Sequence, residues 1–226
     1  MNILVTAGNT RTMIDRVRCI TNVFTGRTGA NIAAEAVRRG HTVTLLTSHP
    51  EVLPPAEGLT VQPYQTFDDL HRLMAEAVIG GGFDAIIHSA AVSDYHVGGV
   101  FAAPAHDSVT LPPLTDVSAG KVKSSHPELW LRLTPAPKLV DKVRSEWGFR
   151  GVLVKFKLEV GVSEAELLEI AERSRLHSHA DLMSANTLDG AAEWALVGAG
   201  EYTKVPRADL AAEIVTRVER LANGVT

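Results

Sequence analysis

Short apolar runs alternate with amphipathic stretches along most of this chain. Asn2–Ala7 reads NILVTA, apolar and β-branched, and runs into Gly8, which predicts a buried strand opening into a loop. A long polar loop follows, from Asn9 to about Thr25. In Gly26–Gly40 the alanines, Ile32 and Val37 recur at helical spacing, and Gly40 supplies the stop. Thr42–Thr47 is a second strand, so the opening is a β-loop-α-β unit of the kind that builds parallel sheets.

The alternation continues with a weak strand at Leu59–Pro63, an amphipathic helix over Phe67–Ile79 and a short buried strand over Asp84–His88. It then breaks. His96–Ser125 carries glycines, prolines at 104, 112 and 113, and little periodicity, and reads as an inserted flap that pairs with a partner subunit. Order returns with a strand at Leu129–Leu133, a helix over Ala136–Trp147 and a strand over Gly151–Leu158. A helix over Ser163–His177 follows, with Ser163 and Glu166 spaced as a capping box. Asp181–Ala185 is the next strand, Glu193–Val197 and Tyr202–Val205 are short edge strands, and Arg207–Leu221 is a closing helix. The fold class is α/β: residues 1–226 form one three-layer domain with a mainly parallel sheet and a flap at about 96–125.

Composition narrows the function classes. With 22 basic and 26 acidic residues the net charge is −4, which argues against nucleic acid or a membrane surface as partner. No apolar run approaches the ~20 residues that span a bilayer, and the start of the chain lacks a secretory pattern. A cytoplasmic location is expected. One cysteine, Cys19, cannot close an intrachain disulfide, and the histidines show no recognised metal spacing.

In an open parallel sheet, ligands bind beyond the carboxyl ends of the strands. Three such ends carry small or polar residues: Thr6-Ala7-Gly8, Ser89-Ala90-Ala91-Val92-Ser93-Asp94-Tyr95 and Ser184-Ala185-Asn186. The helix start Thr25-Gly26-Arg27-Thr28-Gly29 suits a phosphate, with Gly26 and Gly29 allowing close approach, although it is neither a G-x-G-x-x-G nor a P-loop. The polar loop offers Arg11, Asp15, Arg16, Arg18 and Asn22, either as a solvated surface or as a pocket for an anionic substrate. Asp94 is a turn residue, or a group that bonds a nucleotide or its magnesium. Lys121 and Lys123 are solvated, or close over a polyphosphate.

In this order the segments resemble the phosphopantothenoylcysteine synthetase (phosphopantothenate–cysteine ligase) family. The resemblance rests on Thr6–Arg11, Ile14–Asn22, Thr25–Gly29, Ser89–Tyr95, Gly120–Lys123, Pro135–Lys138, Phe156–Glu159 and Ala185-Asn186, and extends over nearly the whole chain. It implies a Rossmann-like homodimeric ligase of coenzyme A biosynthesis that takes 4′-phosphopantothenate, cysteine and a nucleoside triphosphate, CTP or ATP, with Mg²⁺. By position it implies that Asn22 handles the acyl-nucleotide intermediate and that Lys121 meets the phosphates. Ala90, Ala91, Asp94 and Phe156 contact the nucleotide, and Gly8, Gly26 and Gly29 fall in the nucleotide loops. Asp15 and Arg18 are added here as substrate-binding candidates. The family's flavin-dependent decarboxylase segment is not in this chain, so FMN is not expected and that enzyme is a separate partner.

Two segments depart from the bacterial pattern. Lys155–Glu159 reads KFKLE where bacterial members have G-F-A-A-E-T, and is similar to the eukaryotic, ATP-using branch. The following helix has Ser174 and Ser178 near the positions of a bacterial lysine pair, with Arg173 and Arg175 beside them. A divergent member fits the same residues: one that binds nucleotide or phosphopantothenate as a regulatory module, or that ligates a different acid. A nicotinamide-dependent reductase does not, because neither Tyr95 nor Tyr202 has a lysine four residues on.

Overall fold

Strands and helices alternate where the sequence alternates apolar runs with amphipathic stretches. The first half comprises β1 (Asn2–Ala7), β2 (Arg11–Met13), β3 (Cys19–Thr21), α1 (Arg27–Arg38), β4 (Thr42–Thr47), β5 (Leu59–Pro63), α2 (Phe67–Gly80), β6 (Ala85–His88) and β7 (Tyr95–Ala103). The second comprises β8 (Thr115–Asp116), β9 (Glu128–Pro135), α3 (Leu139–Ser145), β10 (Val152–Glu159), α4 (Glu164–His177), β11 (Leu182–Thr187), β12 (Trp194–Ala199), β13 (Glu201–Pro206) and α5 (Leu210–Ala222). The structure, a computed structural model, describes residues 1–52, 56–104 and 112–224.

Among the described residues eight strands form one sheet in the order β13-β12-β11-β10-β6-β1-β4-β5. All neighbours are parallel except β11/β12 and β12/β13. β1 and β6 are buried almost throughout, as central strands covered on both faces must be. The chain leaves β1 for β4 on one side and later returns to β6 on the other. That reversal opens a crevice at the carboxyl ends of β1 and β6.

Two helical layers cover the sheet. α1 and α5 bury Ile32, Ile214 and Val218 against Ile3, Val5 and Val154. On the other face α2 and α3 bury Leu70, Met74 and Leu139 against Leu4, Ile86 and Leu153, and α4 packs Leu167 and Ala171 on Met183 and Leu196. Each fully buried aliphatic side chain contributes roughly 1.5–3 kcal/mol, so the two interfaces hold the crevice walls in place. Ser163 and Glu166 form the expected capping box, and Thr66 and Asp69 form a second one at α2.

Several expectations are corrected. The loop expected over Asn9–Thr25 contains the β2/β3 hairpin, in register Arg11–Thr21. The segment expected as a flap contains regular strands. β7 runs nine residues and pairs with β9 and β8 in a separate three-stranded sheet, so the strand expected at Leu129–Leu133 does not join the main one. A register shift between Val97 and Gly99 breaks the side-chain alternation of β7 and hides its period. Residues 105–111 of the flap lie outside the described residues. α3 starts at Leu139 rather than Ala136, because Pro137 disfavours helical geometry in the residue before it. α5 starts three residues later than expected, after a turn at Arg207–Asp209.

Candidate functional site

Beyond the carboxyl ends of β1, β6, β10 and β11 lies a cleft of 460 Å³, lined by Gly8, Gly26, Ala90, Ala91, Phe156 and Asn186 among others. A larger, more open hollow of 620 Å³ at the amino ends of the strands touches Met1, Phe83 and Arg150 and none of the candidate residues. The parallel-sheet rule selects the former.

The cleft's upper wall is backbone. Gly26 precedes α1 at φ +81°, and a Cβ there would lie 2.2 Å from the Gly8 nitrogen. A Cβ at Gly29 would lie 2.4 Å from Ser89 Oγ and 2.8 Å from Ala7 Cβ. The two glycines therefore let α1 sit directly on the end of β1. With Gly26 as its N-cap, α1 has no side-chain cap. Its first-turn N–H groups remain donors for an anion.

Asn22 lies next to the cleft, one residue before its lining residue Val23, and does not itself line it. Its Nδ2 donates to the Ala91 carbonyl at 3.0 Å, and Asn9 Nδ2 donates to the Asn22 carbonyl at 2.5 Å. Ala91 N–H in turn donates to the Gly8 carbonyl at 2.8 Å. The hairpin, the β1 loop and the β6 loop thus meet at Asn22.

The other end of the hairpin builds a second hollow of 580 Å³ lined by Val17, Arg18, Lys121 and Lys123. Its brace is Asp15, whose side chain is fully buried. The Asp15 carboxylate accepts from the N–H groups of Val17 and Arg18 at 2.8 Å, from Val122 N–H at 3.0 Å and from the Arg18 guanidinium at 2.6 Å. The Arg18 guanidinium and these N–H groups hold that carboxyl far below the usual carboxylate range. Arg18 also donates to the Val122 carbonyl at 2.7 Å. Asp15 faces inward rather than toward a ligand, and its bonds fix the exposed Lys121 beside Arg18.

Asp94 stands apart. It lies outside the cleft lining, largely exposed, paired with Lys138 of the Pro135–Lys138 segment.

Three residues escaped the sequence reading. Arg207, half-buried in the turn before α5, lines the cleft and donates to Thr28 Oγ1. Burial lowers its pKa. His88, at the end of β6, shares a 2.9 Å hydrogen bond with Thr6 Oγ1, which also accepts from Ala90 N–H at 3.2 Å. Burial, reinforced by nearby Lys155, pushes its pKa down to about 4. Lys155 extends from β10 to Ser178 Oγ at 2.5 Å and to the Ser174 carbonyl at 3.0 Å, so a strand lysine stands against both helix serines. Only Lys155 lay in a quoted motif. The other two become visible when distant segments fold together.

A doubly wound sheet with a crevice at its reversal point, roofed by an uncapped helix start, defines a Rossmann-like domain of the ligand-binding kind. The DNA/pantothenate metabolism flavoprotein C-terminal domain matches residues 1–106. The coenzyme A biosynthesis bifunctional protein CoaBC of Thermococcus kodakarensis is 34% identical over 226 residues, covering 97% of this chain and 51% of that protein. The Escherichia coli protein of the same name is 32% identical over 189 residues, covering 82% and 41%. The crystal structure of the DNA/pantothenate metabolism flavoprotein from Streptococcus pneumoniae superposes with a TM-score of 0.81 at 28% identity, over 98% of this chain and 99% of that one. These comparisons support the resemblance to the phosphopantothenoylcysteine synthetase family. The chain spans about half the length, or less, of these two curated relatives. Among the described residues no helix is long and apolar enough to cross a membrane.

Proposed function

We propose that this domain joins 4′-phosphopantothenate to cysteine through an acyl-nucleotide. A carboxylate oxygen of the acid attacks the α-phosphorus of a nucleoside triphosphate, an acyl phosphate bond forms and pyrophosphate leaves. The cysteine amine then attacks the acyl carbon. The amide forms, the nucleoside monophosphate departs and the amine proton passes to solvent. The observation that carries this reading is the β2/β3 hairpin. One end ties Asn22 to Ala91 of the cleft lining, and the other presents Arg18 at the cationic hollow with Lys121.

Each residue then has a physical task. The α1 N–H groups and Lys121 offset the repulsion between a carboxylate and a polyphosphate, and holding the two together supplies most of the rate. Phe156 gives the base an apolar wall, and Ala90 and Ala91 let the nucleotide approach the β6 loop. The Asn22 amide donates to charge developing at the acyl group without itself titrating. Asp15 positions Arg18 and Lys121. Asp94 reaches the nucleotide only by exchanging Lys138 for it. Mg²⁺ favours phosphate oxygens and water over a protein cage. That suits a site where, among the described residues, no three His, Cys, Asp or Glu side chains converge, so the ion arrives with the triphosphate and neutralises its charge.

The working unit is a homodimer. Leu129 and Leu133, on one face of β9, are 37% and 43% exposed, and Tyr95 is 50% exposed on neighbouring β7. A partner's three-stranded sheet would cover them. The domain works in the cytoplasm, and a decarboxylase takes the product.

The test is pyrophosphate release with 4′-phosphopantothenate, cysteine and Mg²⁺, run with CTP and ATP side by side and followed by mass spectrometry of the product. Amide formation with one nucleotide supports the ligase and identifies the nucleotide. A folded protein that releases no pyrophosphate with either overturns it in favour of a binding module or a ligase for another acid.

A further inference from the structure

Among the described residues two cations of the cleft, Arg27 and Arg207, have no carboxylate partner; Arg27 is exposed to solvent, and Arg207 is not. Lys157, which also lines the cleft, pairs with Glu159 at 2.7 Å. Arg39 and Arg175, both largely buried, are each held by carboxylates. Arg207 is half-buried, yet its protein contact among the described residues is the Thr28 hydroxyl, and no described carboxylate pairs with it. Guanidinium groups withdrawn from water are normally paired. Nη2 gives one hydrogen to Thr28, and its second hydrogen still forms a fork, with Nε on one edge of the guanidinium or with Nη1 on the other, suited to two oxygens of one anion.

Its location selects the anion. Thr28 is the second residue of α1, so the hydroxyl contact ties Arg207 to the turn whose N–H groups have no side-chain cap. The turn between β13 and α5 thereby brings a cation to the cleft wall at the start of α1, 179 positions along the chain from Thr28. Donors from two distant segments therefore converge on one wall of the cleft, an arrangement suited to an oxyanion.

We propose that Arg207 is a phosphate-binding residue, holding an oxyanion of the nucleotide's phosphate chain against the first turn of α1. The proposal rests on the nucleotide reading above and adds to it a residue that ties α5 to ligand occupancy.

The experiment is calorimetric titration of the full chain and its Arg207→Gln and Arg207→Lys variants. The probes are ATP, CTP, adenosine, cytidine and inorganic tripolyphosphate, all at one salt concentration. Gln keeps an amide donor for Thr28 but removes the charge, and Lys keeps the charge but removes the fork. Circular dichroism checks that each variant is folded. Arg207→Gln is expected to raise the Kd for the preferred triphosphate and for tripolyphosphate by about tenfold to a hundredfold. Arg207→Lys should give a smaller rise, and nucleoside affinity should not move. Unchanged triphosphate affinity in folded Arg207→Gln overturns the proposal, as does an equal loss for the nucleoside. If Arg207→Gln does not fold, unchanged triphosphate affinity in Arg207→Lys overturns it instead. Arg207-dependent binding of tripolyphosphate without binding of either nucleotide would sink the nucleotide reading and leave the phosphate role of Arg207 standing. A wild-type chain that binds none of the probes overturns both.

Discussion

The cleft and the cationic hollow share one hairpin but are built in opposite ways. The cleft is a backbone construction. Gly8, Gly26 and Gly29 bring two loops and a helix start within van der Waals contact, and main-chain N–H groups of the helix start are donors there, with the Arg207 guanidinium beside them. The hollow is a side-chain construction. One buried carboxylate, Asp15, gathers three N–H groups and a guanidinium, and the exposed Lys121 rides on that brace. A backbone site is rigid and intolerant of added atoms. A side-chain site tolerates atoms but depends on charge. The two halves should therefore fail in different ways.

The sharpest test of whether they serve one reaction is Asn22, which stands between them. Asn22→Asp places a negative charge beside a phosphate and removes the amide donor. Amide formation should drop by about 10²–10³, the usual cost of one transition-state donor, with pyrophosphate release and product formation followed separately. Full turnover in that variant would separate the hairpin from the chemistry.

Gly26→Ala should act on the fold. The new Cβ meets the Gly8 backbone in a conformation that side chains rarely adopt, so a loss of about 2–3 kcal/mol in urea unfolding is expected, accompanied by lost nucleotide binding. Stability equal to wild type would show that α1 can lift from β1 freely. At the other half, Lys121→Ala should leave stability untouched, because the side chain is exposed. It should lower kcat/KM by about tenfold, as loss of one stabilising charge typically does. Intact kinetics would confine the reaction to the cleft.

The three-layer sheet was legible because its signals are local. β1, β6 and β10 carry the apolar triplets Ile3-Leu4-Val5, Ala85-Ile86-Ile87 and Val152-Leu153-Val154, β4 is β-branched and aliphatic, and α4 carries its own capping box. Gly26 was legible from its motif as the residue that opens α1. What stayed hidden depends on partners remote in sequence. The period of β7 is broken by its register shift at Gly98 and Gly99. Asp15 looked like a substrate ligand because nothing nearby in the sequence announces Val122 as its partner. Arg207 looked like an ordinary first residue of a helix until the β12/β13 hairpin carried it to Thr28. Local pattern reports the elements, and function here is set by where their ends converge.

Acid should separate the two halves by pH. His88 lies under the cleft with its pKa lowered from the usual 6.5 to about 4, chiefly by burial. The unfolded chain therefore binds a proton in that window that the folded chain refuses, and stability falls as pH drops from 6.5 to about 4. The contribution is about 1 kcal/mol at pH 6 and about 3 kcal/mol by pH 4. Asp15 acts later. Its folded pKa is depressed, so the brace is at full strength above the ordinary carboxylate value of 3.8 and is lost as pH falls below it, where Glu35 and Glu172, each lowered to about 2 by arginine partners, are lost as well. Urea midpoints at pH 7, 6, 5, 4 and 3 for wild type, His88→Gln and Asp15→Asn resolve the two. His88→Gln should flatten the decline between pH 6.5 and 4 and leave the acid limb below it. Asp15→Asn should do the reverse, because an uncharged amide in the brace has no proton left to take up. If His88→Gln keeps the wild-type slope between pH 6.5 and 4, the imidazole is not the group that titrates, and the cleft floor is no more acid-sensitive than the brace that faces it across the hairpin.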